Sequence, residues 1–266
     1  MRYRLIALDV DGTLLNDRHE LVPETVDTIR EVVAQGAEIV LCTGRAPLST
    51  IPLMEQMGLT GYVISHNGAA TVDAATREIV HQYQMDKRSL EPYISYCREN
   101  GVHFDVNTAF ELYVDQLEGL KLEVQSMYEA FLMEPLQLPQ WADWSEPLVK
   151  FTAFGSMQRL DEVYRDWGRW EQPFNMLRSG DFFIDLMHKH ASKGEALHQL
   201  AQQRGIAPDE IMAIGNYYND LSMLTYAGKG IAMANSPEEV KLAADEVTLS
   251  NNEQGVRHAL IKYCLN

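Results

Sequence analysis

Apolar residues in this chain fall into short unbroken runs separated by stretches of helical period. Residues 5–8, 37–41, 61–65 and 210–215 are such runs, each too short for a helix and each lacking the polar alternation of a half-exposed strand. That pattern belongs to strands buried on both faces of a parallel sheet. Between the first two runs, Val22, Val26, Ile29 and Val33 recur at helical spacing, with Pro23 near the start and Gly36 past the end. A second amphipathic stretch carries Leu197, Leu200 and Ala201, opened by Ser192 and Glu195 as a capping box and closed by Gly205. A strand over 230–234, a capping box at Ser236-Pro237-Glu238-Glu239, a short strand over 246–249 and a helix through Val256, Leu260 and Tyr263 complete this half.

From 86 to 188 the strand–helix alternation gives way to a mixed set. A helix through Leu90, Ile94 and Cys97 ends at Asn100-Gly101, and short strands follow at 103–106, 111–114 and 149–154. Helices run through Leu120, Val124 and Tyr128 and over 157–170, before two strands around Ser179-Gly180-Asp181. This order predicts an α+β insert with its own sheet. The core domain is then discontinuous, 1–85 plus 189–266, with 86–188 as the inserted domain. All four tryptophans, Trp141, Trp144, Trp167 and Trp170, lie in the insert, where they line a substrate pocket or an interface or, as is more common, form the small domain's core.

The 266 residues are 46% hydrophobic and 23% charged, enough apolar surface for a sizeable core. With 38 acidic against 22 basic side chains the net charge is −16, which opposes nucleic acid or an anionic membrane as partner. No apolar run approaches the ~20 residues of a membrane span, and no signal-peptide core precedes the first strand, so a cytoplasmic protein is expected. Cys42, Cys97 and Cys264 are few and widely spaced, which indicates neither a disulfide framework nor a thiolate metal site. Nothing in the pattern sets an oligomeric state.

The candidate chemistry sits where the strands stop. Asp9-Val10-Asp11-Gly12 ends the first strand, and alternation along an extended backbone sends Asp9 and Asp11 to the same side. Two carboxylates that close repel unless a cation lies between them, and Mg²⁺, a hard ion that takes oxygen ligands, suits the place. The second strand ends in Cys42-Thr43-Gly44-Arg45, where the Thr43 hydroxyl and the Gly44 amide are suited to a phosphoryl oxygen. After the third, His66-Asn67-Gly68 reads first as a hairpin turn and second as a substrate contact. Lys193 falls in the first turn of its helix, where the dipole disfavours a cation, so a nearby anion is expected to compensate it. The fourth strand ends in Asn216-Tyr217-Tyr218-Asn219-Asp220.

Asp-Val-Asp-Gly-Thr-Leu-Leu at 9–15 resembles the first motif of the haloacid dehalogenase superfamily, whose members are mostly Mg²⁺-dependent phosphatases with an aspartate nucleophile. Thr43-Gly44 is similar to the second motif, Ser192-Lys193-Gly194 to the third, and 215–220 to the fourth, which in most relatives reads Gly-Asp-x-x-Asn-Asp. Asn67-Gly68-Ala69 resembles the Cof-like branch, in which a large cap follows. The resemblance implies a doubly wound, Rossmann-like parallel-sheet α/β core with an inserted α+β cap that closes over the site. It implies Asp9 as nucleophile, Asp11 as proton donor and acceptor, and Lys193 as phosphate ligand and counter-charge. Thr43, Gly44, Lys193 and Asn219 hold phosphoryl oxygens, and Mg²⁺ is bound by Asp9, Asp11, the Val10 carbonyl, Asn216 and, through water or at one remove, Asp220. Asn216 replaces the family's aspartate, a departure that lowers metal affinity because an amide oxygen carries no charge.

These residues predict a phosphatase acting on a small phosphorylated metabolite such as a sugar phosphate through an aspartyl-phosphate. A phosphomutase, which returns the phosphoryl group to a sugar, is the alternative within the fold. A non-catalytic phosphosugar-binding regulator is the alternative outside it, raised by Asn216 alone.

Overall fold

β1 (Leu5–Asp9) runs through the middle of an eight-stranded sheet, and its first four residues are wholly buried. Burial on both faces is why it reads as a continuous apolar run. In this computed structural model, which describes residues 2–130, 133–171 and 173–265, the chain continues through α1 (Pro23–Ala34), β2 (Glu38–Cys42), α2 (Pro47–Met57) and β3 (Tyr62–Ser65). β4 (Ala70–Asp73) and β5 (Ile79–Gln82) follow. α2 has no counterpart in the apolar pattern. Pro47 opens it and Pro52 interrupts it, so the buried Ile51, Met54 and Met57 stand in a stretch that looks like loop.

The inserted elements are α3 (Lys87–Asn100), β6 (His103–Asn107), β7 (Leu112–Val114), α4 (Leu122–Ala130), β8 (Leu136–Gln137), β9 (Lys150–Phe154), α5 (Met157–Trp167), β10 (Phe174–Gly180) and β11 (Phe183–His188). The chain then returns through α6 (Lys193–Arg204), β12 (Ile211–Gly215), α7 (Leu221–Tyr226), β13 (Lys229–Ala232), α8 (Glu238–Ala243), β14 (Glu246–Val247) and α9 (Gly255–Leu260). Two compact units result. One consists of Met1–Gly44, Thr50–His81 and Ser192–Asn266, the other of Arg45–Ser49 and Gln82–Ala191.

In the first unit the strand order is β14-β13-β12-β1-β2-β3-β4-β5, parallel from β14 to β3, with β4 antiparallel to β3. The chain leaves β1 toward β2 on one side and returns to β12 on the other, so β1 and β12 flank the point where the winding reverses. Register makes the strand ends level, because Asp9 pairs with Cys42, Leu8 with Ile214 and Cys42 with Ile64. The loops after β1, β2, β3 and β12 therefore emerge side by side. Leu5, Ala7, Val40 and Ala213 on one face of the sheet pack with Ala196, Leu197 and Leu200 of α6 and Met223 and Leu224 of α7.

The second unit has a six-stranded sheet ordered β10-β11-β9-β6-β7-β8, antiparallel except for the β7–β8 pair. Phe104, Val106, Phe151, Ile184 and Leu186 on one face bury Leu90, Tyr93 and Ile94 of α3 and Leu160, Val163 and Trp167 of α5. Trp144 lies in the same cluster, with Trp141 and Trp170 packed at its margin, so the tryptophans build this core. Among the described residues no helix is long and apolar enough to cross a membrane.

The two capping boxes read from the sequence differ in outcome. Ser192 caps α6, its Oγ accepting from the Glu195 amide at 3.1 Å. At the other, α8 starts one residue later than the box requires, with Pro237 as N-cap, and the buried Ser236 hydroxyl has no hydrogen-bond partner among the described residues. Ser192→Ala is expected to cost about 1 kcal/mol. Ser236→Ala is expected to be neutral or stabilising, and urea unfolding of the two variants checks the contrast.

Candidate active site

Lys193 carries the geometry of the site. It begins α6 and is 1% exposed, and its Nζ donates to Asp9 Oδ1 at 2.7 Å and to Asp220 Oδ1 at 2.6 Å. An ammonium has three donors, and two are committed here. The anion that the lysine's place in the helix calls for is thus supplied by the protein itself, as two carboxylates. Burial by itself lowers the lysine's pKa, yet Asp220 and Asp9 outweigh it and hold the ammonium above its ordinary value.

Asp220 is wholly buried and both its oxygens are engaged. Oδ1 takes the lysine, and Oδ2 accepts the Asn216 amide at 2.8 Å and the Tyr217 amide at 3.0 Å. It is therefore a clamp on Lys193 and on the loop after β12. Asp9 differs. Its Oδ1 takes the lysine, while the buried Oδ2 has no hydrogen-bond partner among the described residues. Burial, reinforced by the Asp220 charge and opposed by Lys193, pushes its carboxyl up to about 7.

The Val10 carbonyl does not fit the ligand role given to it above. It accepts the amides of Leu14 and Leu15 at 3.0 Å each and that of Thr13 at 3.4 Å, which folds the following loop into a tight turn and uses both lone pairs. Asp11 stands at the head of this loop, 41% exposed at its side chain, with Oδ1 3.6 Å from His19 Nδ1. Gly12 adopts a φ of +74°, and a Cβ there would lie 2.4 Å from Asn216 Nδ2, so the Asn216 amide lies against the Gly12 backbone. Asn216 Oδ1 accepts the Thr13 hydroxyl at 3.3 Å.

Thr43, 1% exposed, is held by its backbone: its amide donates to the Ile64 carbonyl at 2.8 Å and its carbonyl accepts the Asn67 amide at 2.9 Å. Asn67 is more than a turn residue. With φ of +55° and only 3% exposed, it accepts Asn219 Nδ2 on its Oδ1 at 3.0 Å, and the same oxygen lies 3.0 Å from where a Cβ on Gly44 would stand. Gly68, at φ +95°, comes so close to α6 that a Cβ would sit 2.1 Å from the Ser192 carbonyl, so this turn also seats the helix that carries Lys193. The signal in the sequence was available, because Asn67 follows β3 where Asp9 ends β1 and Thr43 follows β2. The hairpin that this turn closes is β3–β4.

A model of the haloacid dehalogenase-like hydrolase family matches residues 6–260. The chain belongs to the haloacid dehalogenase-like hydrolases. Two Bacillus subtilis relatives extend over almost its whole length. YxeH is 35% identical over 265 residues, 97% of each chain, and Phosphatase YwpJ is 33% identical over 281 residues, 97% of this chain and 98% of its own. A solved haloacid dehalogenase-like hydrolase from Bacteroides thetaiotaomicron superposes with a TM-score of 0.87 at 30% identity, covering 98% of this chain and 99% of that one. Within this family the chain is a phosphoric monoester hydrolase, with a parallel-sheet core and an inserted α+β cap.

The family's divalent cation can be tested against these residues. Among the described residues no three His, Cys, Asp or Glu side chains are grouped to hold a metal ion. The donors offered instead are the unpartnered Asp9 Oδ2, oxygens of Asp11, and the Asn216 amide oxygen. A buried, unpartnered carboxylate oxygen suits a hard cation that keeps part of its water shell.

Lys193→Met removes the positive charge that bridges two buried carboxylates, and a loss of about 3–5 kcal/mol is expected. The stranded carboxyls then hold their protons more tightly folded than unfolded, so the variant's stability falls as pH rises. Urea titrations should show a smaller deficit at pH 5 than at pH 8.

Proposed function

We propose that the protein is a Mg²⁺-dependent phosphatase that hydrolyses a small phosphoester, such as a sugar phosphate, in two steps through Asp9. The observation that carries this reading is the unpartnered, buried Oδ2 of Asp9, beside a lysine locked to its other oxygen. A carboxylate with one oxygen anchored and the other unpartnered is an oriented nucleophile. Asp9 Oδ2 forms a bond to phosphorus as the bond to the leaving oxygen breaks, and Asp11 delivers its proton to that oxygen. Asp11 then takes a proton from water, whose oxygen attacks the same phosphorus and releases Asp9 and inorganic phosphate. Lys193, with one donor uncommitted to carboxylates, Thr43, Gly44 and Asn219 hold the non-bridging oxygens, and Asn67 sets the Asn219 amide.

Asp9, Asp11 and Asn216 are the residues that would hold Mg²⁺, with Asp220 at one remove. When bound, the cation neutralises phosphate charge so that an anionic nucleophile can approach. A net charge of −16 favours a small metabolite over a polyanion, in keeping with a cytoplasmic enzyme.

Release of inorganic phosphate from sugar phosphates and p-nitrophenyl phosphate across a Mg²⁺ titration tests the reading. Asp9→Asn is expected to abolish turnover, and Asn216→Asp to lower the Mg²⁺ requirement. Turnover that survives in Asp9→Asn would remove Asp9 from the chemistry, and substrate conversion without phosphate release would mean a mutase.

A pH dependence follows from Asp9, whose carboxyl rises on folding to about 7. A raised acid favours the folded state while protonated, so the metal-free protein loses stability as pH climbs toward and through 7. A cation on the ionised carboxylate recovers that loss. The rise in Tm on adding Mg²⁺ is therefore expected to be larger at pH 8 than at pH 6, and a gain independent of pH would place the ion away from Asp9.

A further inference from the structure

The segment after β13 reaches back to the loop that carries Asp11. Asn235 Nδ2 donates to the Gly12 carbonyl at 2.8 Å, and Asn235 Oδ1 accepts the Asn251 amide at 3.2 Å. Asn251, 5% exposed, donates from Nδ2 to the Leu15 carbonyl at 3.1 Å and to Asp17 Oδ1 at 2.9 Å. Asn252 completes the clasp, its Nδ2 donating to Asp17 Oδ2 at 2.8 Å and its Oδ1 accepting the Asp17 amide at 3.1 Å. Hydrogen bonds from Asn251 and Asn252 hold the Asp17 carboxyl below its usual range. The loop is thus gripped from outside at Gly12, Leu15 and Asp17, while the Val10 carbonyl ties it from inside through Leu14 and Leu15.

Asp11 lies between these two grips, next to a glycine whose carbonyl is one of the points held. Gly12 has no side chain to limit its backbone, so rotation about Gly12 would swing the Asp11–Gly12 peptide and the carboxyl with it. The Asn235 bond to the Gly12 carbonyl opposes that rotation. It is an exposed amide–carbonyl bond, of a kind that adds little to folding, so stability alone does not account for the arrangement.

We infer that Asn235, backed by Asn251, is a positioning residue for proton delivery: through the Gly12 carbonyl it holds Asp11 where its proton reaches the leaving oxygen. The inference rests on Asp11 being the acid of the proposed phosphatase reaction. In that step the Asp9–phosphorus bond forms, the bond from phosphorus to the leaving oxygen breaks with its electron pair on oxygen, and the Asp11 proton goes to that oxygen.

The test compares kcat/KM, which reports the first step, for an alkyl ester such as a sugar phosphate and for p-nitrophenyl phosphate, whose leaving group needs little protonation. Asn235→Ala and Asn235→Asp are measured beside Asp11→Asn. The second variant keeps the size and the oxygen that accepts Asn251 but lacks the donor to Gly12, so it serves if the alanine variant folds poorly. Both are expected to lower kcat/KM for the alkyl ester by about tenfold or more and for p-nitrophenyl phosphate by about twofold or less, with Tm within about 3 °C of the natural protein. Equal loss on both substrates, or no loss, overturns the inference. Asp11→Asn isolates the premise, because an even loss on the two esters there shows that Asp11 is not the acid, whatever Asn235 does.

Discussion

Everything in the core unit answers to one electrostatic problem, a buried ammonium that must stay charged. Lys193 is taken out of water at the first turn of α6, where desolvation and the helix dipole both oppose its charge. Asp9 and Asp220 offset both, at 2.7 and 2.6 Å. The three residues come from the end of β1, the start of α6 and the loop after β12, so the triad forms only if the strands are in register and α6 lies on the sheet. Asp220 then spends its second oxygen on the amides of Asn216 and Tyr217, which converts an ion pair into a fixed loop. A single network thereby sets the positions of the proposed nucleophile, the proposed phosphate ligand and the residue at 216.

That network is also unequal. Of four carboxylate oxygens in the triad, three are committed and Asp9 Oδ2 is not. Buried polar atoms ordinarily find partners, and an exception marks a place where the fold keeps an interaction in reserve. The Asp9 carboxyl is raised because burial and the Asp220 charge together outweigh what Lys193 and Thr13 return to it.

Much of this was legible in the sequence because buried parallel strands leave a strong mark. The apolar runs located β1, β2, β3 and β12, the polar residues at their ends named Asp9, Asp11, Thr43, Asn216, Asn219 and Asp220, and the capping box of α6 named Lys193. What the pattern hid depends on contacts distant in sequence. Asn67 looks like a turn until Asn219 is seen to donate to it from 152 residues away. The Val10 carbonyl looks available until the loop closes on it, and Ser236 looks like a cap until α8 starts one residue late. α2 was hidden for another reason, two prolines in a helix whose buried residues are too few to show a period.

Lys193 and Asp9 are 184 residues apart, and Asn252 and Asp17 are separated by 235. During synthesis the Asp9 loop leaves the ribosome before the residues that complete it, with the whole inserted unit made in between. Contacts of such separation form late and slowly. For most of that interval the aspartates of the loop are hydrated side chains of ordinary acidity with no lysine beside them. In the proposed reaction the nucleophile's loop is thus exposed well before it is assembled, and turnover waits until α6 and the loop after β12 have packed beside β1.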